Sequence, residues 1–451
     1  MARNQTVYVC NACGGEAPKW QGQCPHCQEW NSLGRFSGIR PAKVLAAANE
    51  SIAVALDAGP ANDQRLSLGV EELDRVFGGG LTPGSVSLLG GEPGIGKSTL
   101  LLQVAATLAG SRPVIYASGE ESTDQIGQRA RRLGLRGEQL ALLSDNALES
   151  ILALCTERRA ALLVVDSIQT MATADAESSP GSPQQLRECT AALVRFAKRS
   201  GTAVIIVGHV TKDGAIAGPK LLEHLVDTVL YFDADAGSRY RMLRATKNRF
   251  GPVNELGFFA MSDGGLREVK NPSAIFLSRS SQSVPGSLVM VARDGGRPLL
   301  IEVQALVDHT RFAAPRRVAQ GVDANRVAML LAVMSRHAGI ALGEHDVYVN
   351  LVGGLTISET ATDLPLALAL VSSLRAVALP ATLVAFGELG LTGEVRPVPY
   401  GEERLRELHK QGYRRAVLPR ANAPRGGVEG LELLPAATLA AAIDAAFQAS
   451  S

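Results

Sequence analysis

Three groups of residues in this chain have the types and spacing to do chemistry. The first is Gly91-Glu92-Pro93-Gly94-Ile95-Gly96-Lys97-Ser98, followed by Thr99. This G-x4-G-K-S spacing falls between a short apolar run at 86–89 and a helix-forming run at 99–106. That strand–loop–helix context is what the motif requires. Its glycines let backbone N–H groups face a phosphate chain, and the helix N-terminus adds its dipole. Lys97 is expected to reach the β- and γ-phosphates of bound ATP, and Ser98 to ligate Mg²⁺.

The second group completes that chemistry. Asp166 ends the buried-strand run 162–165 and is expected to hold Mg²⁺. Glu120 and Glu121 follow the strand run 114–117, where a carboxylate can polarise the attacking water. Glu120 is the first choice and Glu121 the second; the alternative is that both only cap a helix starting near Ser122. His209 ends the run 203–208, where a polar group can sense the γ-phosphate, the alternative being an ordinary strand-end histidine. Lys247 and Arg249 lie one residue apart on a strand, so their side chains share a face while Asn248 points away. Two cations so placed can be offered to a neighbouring subunit's phosphates. Loops expected at 170–185 and 211–220 would converge on the same end of the sheet, the second carrying Lys212 and Lys220 as candidate contacts to a single DNA strand.

The third group is Cys10-Asn11-Ala12-Cys13 and Cys24-Pro25-His26-Cys27, two C-x2-C pairs separated by ten residues. Each pair puts two thiolates on one tight turn, and two turns close a tetrahedron around Zn²⁺. His26 could replace a cysteine but is expected to be solvated. Trp20 and Trp30 flank the second pair and are expected to cap the small core, the alternative being that an exposed one stacks on a base. So small a module gains its folding energy from the metal.

Positioning these groups takes about three domains for 451 residues. The composition, 46% hydrophobic and 20% charged, excludes disorder over most of the length. A balance of 45 Lys+Arg against 44 Asp+Glu excludes a wholly basic coat, though not a local basic patch. The absence of a spanning apolar run of about 18 residues excludes a transmembrane helix. Without an export signal at the start of the sequence, the expected compartment is the cytoplasm. Cys155 and Cys189 are expected to be small core residues. Strands alternating with helices between 86 and 209 predict an α/β fold with a mostly parallel sheet and ligands at strand C-termini. Runs 228–232 and 240–246 predict an antiparallel hairpin. The organisation expected is a four-Cys zinc finger at 1–36, a linker at 37–65, a nucleotide-binding domain at 66–270 and a second α/β domain at 271–451.

The chain resembles the bacterial RadA family of DNA repair proteins, relatives of RecA and of the ring helicase DnaB. The marks are the four-Cys finger, Leu68-Gly69-Val70-Glu71-Glu72-Leu73-Asp74-Arg75 with Gly78-Gly79-Gly80, the phosphate loop, and the pentapeptide Lys247-Asn248-Arg249-Phe250-Gly251, which is the family's own signature. The resemblance implies a RecA-like P-loop ATPase core and a C-terminal domain similar to the proteolytic domain of Lon. It also implies a DNA-dependent ATPase that forms a hexameric ring on single-stranded and branched DNA. Such a ring would promote branch migration alongside RecA. Aligned with Lon, the nucleophile position falls near Ala361 and the lysine position near Glu402; Ser358 is the nearest serine. A serine nucleophile needs a nearby base, so this domain is expected to be a non-proteolytic scaffold. The competing readings are an ATP-dependent protease and a KaiC-like signalling ATPase.

Overall fold

The computed structural model describes residues 7–10, 16–17, 19–36, 65–209, 219–234, 238–277 and 283–448. Two compact units divide the chain, Met1–Asp63 and Gln64–Ser451. The expected linker lies outside the described residues except for Arg65.

In the first unit, β1 (Val7–Cys10), β2 (Glu16–Ala17) and β3 (Leu33–Phe36) form an antiparallel sheet in the order β2-β1-β3. Cys10, Ala17, Cys24 and Leu33 fill its interior. The tryptophans do not cap it: Trp20 is 56% and Trp30 69% exposed. An interior built from two thiols, an alanine and one leucine has no room for an indole, and Trp30 instead lies over the turn at Gly22.

The second unit opens with the short helix α1 (Glu71–Val76) and a nine-stranded sheet. Its strands are β4 (Val86–Gly91), β5 (Val114–Ser118), β6 (Leu140–Ser144), β7 (Leu162–Asp166), β8 (Ala203–His209), β9 (Thr228–Asp233), β10 (Tyr240–Asn248), β11 (Leu256–Ser262) and β12 (Gly265–Glu268). The order is β12-β11-β10-β9-β4-β8-β7-β5-β6. The run from β9 to β6 is parallel, and β9–β12 pair antiparallel. Helices α2 (Lys97–Leu108), α3 (Thr123–Arg132), α4 (Leu148–Arg158) and α5 (Pro183–Ser200) accompany it. Two apolar cores, one on each face, explain why the central strands are continuous apolar runs. Cys155 and Cys189 are buried in one of them, and burial pushes both thiols up to about 12.

The short helix α6 (Pro219–Leu222) precedes β9. After β12 come β13 (Ser287–Asp294), β14 (Arg297–His309), β15 (Arg317–Gln320), α7 (Ala324–Ala338), β16 (His345–Leu351), α8 (Asp363–Arg375), β17 (Leu383–Ala385), the small pair β18 (Glu388–Leu389) and β19 (Val395–Arg396), α9 (Gly401–Lys410), β20 (Arg415–Pro419), β21 (Glu432–Ala436) and α10 (Leu439–Gln448). Seven of these strands form a mixed sheet in the order β15-β16-β14-β13-β17-β20-β21. The two large sheets are not separate bodies. Leu256 and Phe258 of β11 belong to the same apolar cluster as Leu299, Val347 and Leu368, and Phe258 meets Phe276 edge-on at 5.6 Å. Buried Glu72 of α1 adds a polar tie, accepting from Phe258 N at 2.9 Å and pairing with Arg297 at 3.1 Å.

Candidate functional site

The phosphate loop leaves the C-terminal end of β4, between β8 and β9. Gly96 precedes α2 at φ 116°, and a Cβ there would stand 2.8 Å from Met261 Cε, so the loop can turn only on glycine. No side chain caps the first turn of α2, whereas Ser122 caps α3 and Ser182 caps α5. The first N–H groups of α2 are thus left for an anion, while Ser122 and Ser182 each take one such N–H; α4 also has no side-chain cap, but no glycine loop precedes it. Glu92, Pro93 and Gly94 form the exposed tip of the loop.

Lys97 is buried and donates to Gly91 O at 2.7 Å and Glu92 O at 2.9 Å. Burial lowers it to about 8, against the opposing pull of Asp166 and Glu120. Asp166, 4% exposed at the end of β7, accepts from the Tyr116 hydroxyl at 2.5 Å. Burial first, and the Asp166 charge next, push the Tyr116 phenol well up, so it remains a donor. The following peptide bond, Asp166–Ser167, is cis. Ser167 donates its hydroxyl to Glu120, whose Oε1 lies 3.3 Å from His209 Nε2. Neither ring nitrogen of His209 makes a well-aligned hydrogen bond among the described residues.

The two candidate carboxylates differ. Glu121 is ion-paired with Arg129 of α3, and Glu120 faces Ser167 and His209. Neither caps α3; Ser122 and Gln125 close that capping box. Tyr116, Ser167 and Ser118, whose hydroxyl accepts from the N–H of both Glu120 and Glu121, are neighbours that sequence reasoning missed. The available signal was a lone tyrosine among the apolar residues of a buried strand that ends in Ser118.

The pentapeptide sits elsewhere. Lys247 pairs with Val229, and Arg249 N donates to Asp227 O at 3.1 Å. Thr228 faces Ser87 while Phe232 faces Gly91. Through β9 the register sets Lys247 level with Leu88, about 10 Å along the strands from Gly91, and Arg249 beyond Ser87, about 16 Å away, at ~3.3 Å per residue. Asn248 turns toward α1, donating to Phe77 O at 3.3 Å and accepting from Phe250 N at 3.0 Å. Gly251 packs backbone to backbone on Gly78: a Cβ on either would meet the other's Cα at 3.0 Å. Arg65 staples the same place, donating to Phe250 O at 2.5 Å.

Lys212 lies outside the described residues, and Lys220 falls in α6. The loop expected at 170–185 is shorter, because Ser182 and Pro183 start α5 early. Buried Gln185 pins it by donating to Ser178 O at 3.2 Å. In the first unit, the sulfurs of Cys10, Cys24 and Cys27 lie within 4.8 Å of one another, a donor set that fits Zn²⁺; Cys13 lies outside the described residues. In the C-terminal sheet, Ala361 is 2% exposed, Ser358 is exposed, and exposed Glu402 pairs with Arg406 at 3.2 Å. Among the buried charged residues there, Arg404 donates to both carboxylate oxygens of Glu359 at 3.0 and 2.6 Å and to Val291 O at 2.6 Å.

An uncapped helix behind a lysine-bearing glycine loop, with acidic groups at the ends of neighbouring parallel strands, defines a RecA-like P-loop ATPase. Comparison with known proteins agrees. A family model described as an AAA domain matches residues 58–215, one described as a rubredoxin metal binding domain matches 8–34, and one described as subunit ChlI of Mg-chelatase matches 319–422. The DNA repair protein RadA of Pseudomonas aeruginosa is 50% identical over 99% of this chain and 100% of its own. Those of Escherichia coli and Bacillus subtilis are 52% and 44% identical, over 95% and 98% of this chain and 95% and 99% of their own. The chain belongs to the DNA repair protein RadA family. The crystal structure of the RadB recombinase aligns over 46% of this chain and 100% of its own at 25% identity, with a TM-score of 0.37. Among the described residues, no helix is long and apolar enough to cross a membrane.

Proposed function

We propose that this chain is a cytoplasmic DNA-dependent ATPase that closes into a hexameric ring around single-stranded DNA and drives branch migration of recombination intermediates alongside RecA. One observation carries the ring. The pentapeptide cations stand away from their own phosphate loop, Arg249 furthest, which favours a role at the loop of another copy.

In this reading the amides of Gly91–Thr99 and the Lys97 ammonium take the triphosphate. Lys97 exchanges its two loop carbonyls for phosphate oxygens, which hold a cation more strongly. Ser98 and Asp166 would hold Mg²⁺, which supplies charge neutralisation at the β- and γ-oxygens. Glu120 orients the attacking water and takes its proton. His209, 3.3 Å from Glu120, reports on the γ-phosphate at the end of β8. A trans cation contacting the transition state contributes about 10³–10⁵ in rate. Lys212 and Lys220 track the DNA backbone as point charges. Cys10, Cys13, Cys24 and Cys27 hold the structural Zn²⁺, and the C-terminal sheet serves as a scaffold without proteolytic chemistry.

The test is ATP turnover with and without single-stranded DNA, with electron microscopy of the same sample. Turnover raised by DNA, together with closed rings, is the expected result. DNA-independent turnover by monomers overturns the reading.

A further inference from the structure

Tyr116 puts a hydroxyl where packing alone asks for none. It lies in the middle of β5, level with Val164 of β7, and is fully buried. Its ring belongs to the apolar cluster that includes Leu101 and Val104 of α2 and Ile126 of α3. A phenol in such surroundings costs free energy unless its proton finds an acceptor. The acceptor is Asp166, level with Ser118 and so two positions further along the strands. The hydroxyl donates to its Oδ2 at 2.5 Å.

That bond makes the two oxygens of Asp166 unequal. Oδ2 is engaged by the phenol, whereas no donor among the described residues bonds Oδ1. Lys97 gives its donors to Gly91 O and Glu92 O rather than to Asp166. An aspartate has two side-chain torsions, and a buried bond to one oxygen restrains both. Asp166 is itself buried, so little water is at hand to replace the phenol. The donor type also matters. A phenol holds the carboxylate without adding charge, whereas an arginine in the same place would neutralise it and compete with a cation.

This restraint suits magnesium, which demands near-octahedral geometry and gives up its waters reluctantly. The same strand face carries Ser118, whose hydroxyl accepts from the N–H groups of Glu120 and Glu121. One face of β5 therefore braces both Asp166 and the turn that bears Glu120.

We propose that Tyr116 is a positioning residue of the ATP site: by engaging Oδ2 it fixes Asp166 so that Oδ1 is held for Mg²⁺. This rests on the Mg²⁺ reading of Asp166 given above.

The experiment measures binding of a fluorescent β,γ-imido ATP analogue to the full chain, once in Mg²⁺ and once in EDTA, without turnover. The readout is the ratio of the two affinities. Tyr116→Phe should lower that ratio about tenfold, the usual effect of removing a partner that orients a metal ligand, and leave the affinity in EDTA within about twofold. Tyr116→4-aminophenylalanine keeps a donor of the same reach and should return most of the loss. The double variant Tyr116→Phe, Asp166→Asn should be no worse than Asp166→Asn alone, because the phenol acts only through that carboxylate. A merely structural role would lower the thermal midpoint and weaken binding equally in Mg²⁺ and EDTA. That equal loss, an unchanged ratio in Tyr116→Phe, no rescue by the amino group, or a further loss in the double variant overturns the proposal. The underlying reading has its own control. If Asp166→Asn keeps the wild-type ratio, the Mg²⁺ assignment falls and the proposal with it. If Asp166→Asn collapses the ratio and Tyr116→Phe does not, only the role of Tyr116 falls.

Discussion

The two large sheets of this chain each place ionisable groups near strand ends, and they use them in opposite ways. Around the phosphate loop, Lys97 rests on backbone carbonyls, Glu120 touches a serine, and His209 has no well-aligned partner among the described residues. In the C-terminal sheet, the corresponding charges are spent on each other: the Arg404 fork is filled by Glu359, Val291 O and Pro399 O, and Glu359 also accepts from Arg293 N. A site that must bind and release a charged ligand keeps donors that can be exchanged. A scaffold closes its valences, since a buried charge left open is costly.

The sharpest way to break this contrast is Lys97→Ala. Removing the ammonium should abolish ATP turnover, because developing phosphate charge loses its nearest donor; wild-type turnover in a steady-state assay would end the assignment. Next in size is Glu120→Gln, which should slow single-turnover hydrolysis about 10²–10⁴-fold. Glu121→Gln should stay within about threefold, because its charge is engaged by Arg129 in a partly exposed pair. The reverse ranking would exchange the two roles.

On the scaffold side, Arg404→Ala should cost about 3–5 kcal/mol in urea unfolding by leaving the half-buried Glu359 unpaired. The double variant Arg404→Met, Glu359→Leu should regain most of that loss, and KM for ATP should not move in either. A large KM change would show that the two sheets do not divide labour in this way. The smallest effect concerns pH. The buried Lys97 ammonium, lowered to about 8, loses its proton as pH rises through that value in the free protein. A kcat/KM profile for ATP should therefore fall on the alkaline side near pH 8, since that parameter reports free-enzyme ionisations. A flat profile to pH 10 would place the lysine in a more solvated position.

Much of the ATP site was legible because each reactive group ends an apolar strand or opens a helix. Asp166 and His209 stop runs of buried strand residues, and Lys97 starts α2. What stayed hidden were pairings with no local sequence signature. Glu121 finds Arg129 two turns along α3. Arg404 finds Glu359 across 45 positions. Lys247 finds backbone carbonyls, which every residue has, and a bulge between Ala245 and Lys247 shifts its register against β9. Both cations are expected on one strand, but β10 ends at Asn248 and Arg249 lies just beyond it; nor can alternation tell a side chain reaching outward from one folded onto its own chain. The tryptophans misled for a simpler reason: in so small a module, indole volume exceeds the interior available.

Because β11 lends Leu256 and Phe258 to the core of the neighbouring sheet, the second unit should unfold as a single cooperative block. Calorimetry should show one transition for this block, with van't Hoff and calorimetric enthalpies in agreement. The sequence boundary near 270 is then no place to cut. A fragment ending there would carry an unsealed apolar seam and associate through it, and a mild protease would not excise the ATPase as a stable core.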